Sequence, residues 1–479
     1  MVFNSLEYLI FLPIVLIVNF LLPKKVRYIW LLISSYYFYM SWNARYAVLI
    51  AFSTVVTYVC AILVEKNPGR PAKLFVALSL VLNLGVLFFF KYFNFTFSLL
   101  ADIFGRIGLR FNAPFLDVLL PVGISFYTFQ ALGYTIDVYR GTIRAEHNIL
   151  RYALFVSFFP QLVAGPIERS GNLMSQLENP SDFSYENARE GLLLMLWGFF
   201  LKIVIADRIA IFVDCVYNSP ETYTGMYLVV ATILFAFQIY CDFAGYSIIA
   251  MGSAKMLGIK LMENFNAPYL ATSVAGFWRC WHISLTTWFR DYLYIPLGGN
   301  RKGALRKQIN KIFVFLVSGL WHGAGISYVV WGGLNGLYQV ISELLQPLRN
   351  RLGLNKPSVP LNVFKGLFTF VLVDFAWLFF RAKSFSEACL VIRNIFVPCG
   401  FDPLSCGLDG PNVILLVISL LLLAIADTCK KKGIVIRKKI ISAPMAVRCL
   451  VVSLSVCAIL LFGIWGPAYN AANFIYFQF

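Results

Sequence analysis

The sequence predicts an all-α, polytopic membrane protein, and three observations carry that prediction. Of the 479 residues, 59% are hydrophobic and only 13% are charged, about half the charged share of a soluble domain. Apolar runs near 8–22, 46–64, 74–93, 118–136, 189–206, 226–250, 308–321, 361–380, 412–427 and 446–466 reach or approach the ~20 residues that cross hydrocarbon as a helix. Basic residues cluster in alternate short loops rather than spreading evenly along the chain.

In chain order, residues 1–22 have no small-residue cleavage site and run beyond the apolar core of a signal peptide, so an uncleaved first span is expected. The short loops Pro23–Arg27, Glu65–Lys73 and Arg140–Arg151 are basic, whereas the turn at Asn43 and the stretch 94–117 carry fewer positive charges for their length. By the positive-inside rule the amino terminus then lies outside and the basic loops lie in the cytoplasm. Four aromatic runs, 28–42, 150–164, 276–297 and 326–345, fit either short spans or re-entrant pieces, giving roughly 10–13 embedded helices. Lys430–Lys439, "KKKGIVIRKK", reads as a cytoplasmic loop against anionic headgroups, which places the ending "FIYFQF" outside. The longest polar interruptions, 165–190 and 346–360, are too short to fold alone, so one membrane domain over 1–479 is expected.

Composition also excludes some functions. The formal charge of +17, from 40 Lys and Arg against 23 Asp and Glu, belongs to cytoplasmic loops and calls for no nucleic acid. Ten cysteines are scattered without a CxxC or a metal-like cluster, and read as small buried hydrophobes. Cys399 and Cys406 share one loop expected outside, where a disulfide is an open question. No GxSxG, P-loop or dinucleotide fingerprint is present.

The middle third is unlike the rest. Between 265 and 302 come Pro268, Trp278, Trp281, Trp288, Pro296, Gly298 and Gly299, with Arg279, Arg290 and Asp291 interleaved. A lipid-facing helix does not tolerate so many charges and breakers; such backbone occurs at membrane depth only where protein buries it or it lines a cavity. Two of the chain's three histidines fall in this segment and the one that follows it. His282 lies in "FWRCWHISLTTWFRDYLYIPLGGNRKG" and His322 in "SGLWHGAGISYVVWGGLNGLYQ", separated by the basic connection Arg301–Lys311. Ionisable groups in a membrane segment are costly and usually tied to function.

An imidazole titrates near pH 6.5 in water, and its neutral form can take a proton from a hydroxyl that attacks an acyl carbonyl. Gly323 and Gly325 beside His322 are expected to let a substrate approach the backbone, and Trp321 to wall a pocket. An embedded histidine serves equally as a hydrogen-bonding packing residue, and Trp and Tyr form ordinary belts at membrane interfaces.

These motifs resemble the membrane-bound O-acyltransferases, in particular the bacterial branch of alginate-O-acetylase-like and D-alanyl-transfer proteins. That branch carries W-H-x-S-L followed by W-x-x-D-Y-x-Y-x-P-L-G-G-N. Here these fall on Trp281, His282, Ser284 and Leu285, then Trp288, Asp291, Tyr292, Tyr294, Pro296, Leu297, Gly298, Gly299 and Asn300. The segment Ser318–Ala324, "SGLWHGA", follows, with the signature histidine at His322. "PVGISFYTFQALGYTIDVYRG" from Pro121, "FFPQLVAGPIER" from Phe158, "YCDFAGYS" from Tyr240 and the ending "FIYFQF" are similar to the same branch. One position departs: Ile248 follows "DFAGYS" where the branch usually has an acidic residue, leaving Asp242 as the nearer carboxylate, suited either to a helix–helix hydrogen bond or to the site.

The resemblance implies a bundle of helices around a central tunnel, reached by a cytoplasmic acyl donor on one side and an extracellular acceptor on the other. It implies His322 as general base and His282 as its supporting partner. Substrate contacts are expected from Trp278, Trp281, Ser284, Trp288, Arg290, Asp291, Tyr292, Asn300, Ser318, Trp321, Asp242 and Asn335. No tightly bound cofactor and no metal are expected; the donor is an acyl thioester, acetyl-CoA or an acyl carrier protein. The implied activity is O-acylation, most simply acetylation, of an exported cell-surface polysaccharide, at the bacterial cytoplasmic membrane and with an extracellular or periplasmic acyltransferase partner. D-alanyl transfer toward teichoic acid is the alternative. A transporter or flippase is the reading from another class, but it calls for paired broken helices in two related halves, and none is evident.

Overall fold

The computed structural model describes residues 1–163, 165–354, 356, 358–465 and 474–475. Residues 476–479 of the ending motif, and with them the expected position of the carboxyl terminus, lie outside the described residues. The described chain is helical, with no strand among its elements. Among the described residues, six helical stretches are long and apolar enough to cross a membrane: Lys24–Lys66, Arg70–Arg106, Met226–Met256, Val359–Arg381, Gly410–Lys431 and Met445–Phe462. The chain is a multi-pass, all-α membrane protein.

Several other expected spans are helices of a different kind. Ile124–Tyr139 has 16 residues, about 24 Å of helix against ~30 Å of hydrocarbon. Ala304–His322 carries Arg306, Lys307 and Lys311 in its first half. The run 150–164 resolves into Ile149–Ser157, buried from Tyr152 onward, and Phe159–Leu162, buried throughout, and 326–345 into the helix Ile326–Leu344.

The fold divides into two compact units, Met1–Leu192 with Ile249–Met262, and Leu193–Ile248 with Glu263–Phe479. In the first, Ser5 caps the helix Leu6–Leu21 by accepting from the Tyr8 amide, and the helix stops before Pro23, with Leu22 extended at ψ 146° because proline disfavours helical backbone in the residue preceding it. The helix Ile124–Tyr139 is buried on almost every side. It starts at Gly123, φ +75°, where an added Cβ would stand 2.5 Å from the Leu162 carbonyl oxygen. Polar side chains tie this interior together: Gln130 donates to Phe155 O at 2.6 Å, Ser53 to Asn83 at 2.6 Å, and Tyr8 meets Ser253 at 2.6 Å. Such bonds hold helices together where lipid supplies no hydrophobic drive.

In the second unit, Ala304–His322 and Ile326–Leu344 form a hairpin whose backbones nearly touch. A Cβ on Gly319 would collide with Tyr328 O, and one on Gly332 with Phe315 O, so small residues set the crossing. Val359–Arg381 packs on the returning helix. The breaker-rich segment forms two short helices, Val274–Cys280 and Ile283–Phe289, then a π-turn at Arg290–Tyr294.

All ten cysteines are free. Cys399 does not pair with Cys406: its thiol donates to Thr224 O at 3.0 Å, while Cys406 is buried beside Ser405.

Candidate active site

The first half of the site is a sharp turn between the two short helices. Asn266 N donates to Cys280 O at 2.9 Å and Ile283 N to Asn264 O at 3.0 Å, so residues 264–266 lie along 280–283. His282 sits at the bend with φ 41°, as Ala267 does nearby with φ 47°, a left-handed conformation uncommon for a residue with a Cβ, more accessible to histidine than to most, and one that clusters at functional sites. The Asn264 side-chain oxygen accepts from the Ser284 hydroxyl at 2.7 Å and the Ser284 amide at 3.2 Å, and lies 3.3 Å from His282 Nδ1. Asn264, His282 and Ser284 are all buried.

The second half is the end of the helix Ala304–His322. Its last residue, His322, is 3% exposed and its ring centre lies 6.3 Å from that of His282. Aromatic rings enclose the pair. Trp321, Trp331 and Phe380 stand edge to face with His322 at 4.9, 5.0 and 5.4 Å, Phe243 stands against His282 at 4.7 Å, and Trp321 also reaches His282 at 6.0 Å. Two imidazoles in so apolar a setting can exchange protons with a reacting group while the walls exclude water.

Several residues expected at the site converge here. Trp278 donates from Nε1 to Asn335 Oδ1 at 3.0 Å, and Asn335 donates to Trp331 O at 2.9 Å. The pair pins the tryptophan-rich helix to the returning helix that carries Trp331. Trp281 packs between Phe277 and Trp377, at 5.3 and 5.0 Å. Ser318 is buried one turn before His322 on the same helix.

Others have different surroundings. Trp288 packs on Tyr292 at 5.0 Å, Arg290 reaches Asp291 at 2.8 Å from an exposed position, and Asn300 is exposed. Asn310, buried, holds this turn by donating to Gly299 O at 3.1 Å. Asp242 turns to Lys202, at 2.7 Å, and accepts from the Ile475 amide at 2.8 Å. Its neighbour Phe243 makes the contact with His282. Gly323 is not open to a substrate as its sequence setting suggests: the Tyr328 ring fills the place of its missing Cβ.

Sequence reasoning missed Asn264, Lys202, Asp207, Phe243, Trp331, Trp377 and Phe380. Lys202 carried a signal, a lone lysine within the apolar run "GFFLKIVIAD". Asn264 carried none, since asparagines just before Pro268 read as loop.

The family model for membrane-bound O-acyltransferases matches residues 140–382, a stretch that contains both histidines. The probable alginate O-acetylase AlgI of Pseudomonas aeruginosa is 39% identical over 401 residues, 83% of this chain and 75% of that protein. The peptidoglycan O-acetyltransferase of Helicobacter pylori is 34% identical over 406 residues, 79% of this chain and 74% of that protein. The teichoic acid D-alanyltransferase of Bacillus subtilis is more distant, 25% identical over 279 residues, 55% of this chain and 69% of that protein. A family match over half of the chain, joined to relatives similar along most of it, establishes that the chain belongs to the membrane-bound O-acyltransferase family.

Proposed function

We propose that this O-acyltransferase moves a small acyl group, acetyl, from a thioester donor on the cytoplasmic side to hydroxyls of an exported cell-surface polysaccharide, with His322 as general base and His282 as its partner. The observation that carries the reading is the buried pair of imidazoles, 6.3 Å apart between ring centres within aromatic walls. The likeness to alginate and peptidoglycan O-acetylases supplies the acyl group and the class of acceptor.

In the proposed step His322 takes the proton of the acceptor hydroxyl as its oxygen attacks the thioester carbonyl carbon. The tetrahedral intermediate collapses with cleavage of the C–S bond, and the leaving thiolate receives the proton from the imidazolium. No enzyme nucleophile is needed, because the acceptor oxygen attacks directly. The donor is acetyl-CoA or an acyl carrier protein, and an extracellular or periplasmic partner protein completes delivery to the polymer at the bacterial cytoplasmic membrane.

Trp321 and Trp331 stand against the histidines, Trp278 packs on Trp331 and Trp281 on Trp377, an aromatic setting that suits a narrow passage. Shape alone rejects one or two extra methylenes by only ~1–3 kcal/mol, so acetyl over propionyl is a preference, whereas palmitoyl has nowhere to go. The test supplies the purified protein and its partner with labelled acetyl, D-alanyl and palmitoyl thioesters and follows base-labile label on glycan. Acetyl transfer is expected. Palmitoyl transfer at a similar rate overturns the small-acyl reading, and transfer of D-alanine alone moves the protein to the teichoic acid class.

A further inference from the structure

The clamp at Asn264 fixes more than the path of the chain. The Ser284 backbone amide can only donate, and it meets the Asn264 side chain at 3.2 Å. The atom it meets must therefore be the amide oxygen, which settles the orientation of an otherwise ambiguous carboxamide. That same oxygen takes the Ser284 hydroxyl at 2.7 Å and stands 3.3 Å from His282 Nδ1. A lone pair on Nδ1 facing an accepting oxygen would be repulsive, so Nδ1 bears hydrogen. A neutral imidazole carries one such hydrogen, and its Nε2 is then an acceptor.

We propose that Asn264 is a positioning residue for acyl transfer, holding His282 in the Nδ1–H tautomer so that Nε2 accepts a hydrogen bond or proton at the site. The inference rests on the reading of the histidine pair given above and adds the residue that orients its second member. The strap bearing Asn264 is itself secured. Lys430 donates to the Phe265 carbonyl at 2.7 Å, Asn266 pairs with Cys280, and the Asn264 carbonyl accepts from Ile283. Asn264, bonded through both backbone and side chain, thus holds the left-handed turn at His282 and faces its Nδ1, with Ser284 Oγ, itself donating to Asn264, 3.5 Å from the same nitrogen.

The experiment uses the full chain in lipid nanodiscs with 15N-labelled histidine, His282 resonances being assigned by their loss in His282→Ala. The wild type is expected to show His282 protonated at Nδ1. Asn264→Leu removes the accepting oxygen; the expected result is a shift toward the Nε2–H form and a fall in kcat of about 10²-fold, the scale of a positioning loss, with little change in KM for the donor. Asn264→Asp retains an oxygen there and is expected to keep the Nδ1–H form and more of the rate than the leucine variant. An Nε2–H tautomer in the wild type overturns the proposal, as does a folded Asn264→Leu protein with unchanged tautomer and kcat. If the leucine variant does not fold, the wild-type tautomer decides. A fully active His282→Ala protein would instead overturn the reading of the histidine pair; impaired His282→Ala beside unimpaired Asn264→Leu overturns the present inference alone.

Discussion

Two buried polar clusters of the second unit invite comparison. In one, Lys202 lies between Asp207 at 2.8 Å and Asp242 at 2.7 Å, with the Ile475 amide on the second carboxylate and the Tyr246 ring beside the ammonium at 5.6 Å. In the other, His282 and His322 face each other among tryptophans and phenylalanines. Both contain ionisable groups where charge is expensive. The first meets that expense by setting one ammonium between two carboxylates, and so acts as a brace. The second sets its imidazoles among uncharged aromatic rings, and an imidazole can gain and release a proton. Embedded polarity is thus a poor guide to chemistry until its partners are known; Asp242, expected from the sequence either as a helix–helix contact or as a site residue, makes its bonds in the brace.

The largest effect that would sharpen this contrast is on turnover. His322→Ala is expected to lower acyl transfer by ~10²–10⁴-fold, the range for a general base, while the yield of detergent-stable protein stays near wild type. Product measured by mass spectrometry beside size-exclusion yield checks it; undiminished product from a folded variant removes His322 from the role of base.

Lys202→Met should do the reverse. It strands two carboxylates, 3% and 7% exposed at the side chain, and breaking a buried pair costs about 3–5 kcal/mol. A marked drop in thermal stability is expected, with activity per folded molecule far less affected than in His322→Ala. A stable but inactive Lys202→Met protein would mean that this cluster takes part in the chemistry and that the distinction between brace and site is wrong.

The smallest expected effect is on stability at the exposed pair. Arg290 and Asp291 are 61% and 31% exposed at the side chain, and surface pairs contribute roughly 0–1 kcal/mol. Arg290→Ala is expected to leave the melting temperature nearly unchanged. Its kcat/KM for a thioester donor then reads out whether this stretch meets substrate: a clear loss at constant stability keeps Arg290 among the substrate contacts, and no loss takes it out.

Much of the fold is legible in the sequence because hydrocarbon imposes a local rule: a helix satisfies its own backbone, and only long apolar runs are tolerated facing lipid. Met226–Met256, Val359–Arg381, Gly410–Lys431 and Met445–Phe462 fall where hydropathy places them. Where the rule fails it does so for a reason. Ile124–Tyr139 and Ile149–Ser157 are apolar yet enclosed by protein over most of their length, which therefore answers to neighbouring helices rather than to the bilayer. Gly323 and Gly325 read as room for a substrate, whereas Gly323 makes room for the Tyr328 ring, as Gly319 does for the Tyr328 carbonyl.

By itself the sequence determined that this chain is helical and membrane-embedded, that its unusual region lies between 265 and 302, and that His282 and His322 belong to one family signature. Each of these follows from composition, spacing or a contiguous motif. Only the tertiary structure decided that Asn264 rather than a carboxylate meets the His282 ring, that Asp242 belongs with Lys202, and that Trp331 and Phe380 close around His322. Partners of this kind lie far apart along the chain and are selected by burial, where every polar atom must find a complement whichever segment brings it. Hydropathy and short motifs describe one stretch of chain at a time, and the setting of an embedded imidazole is made by several.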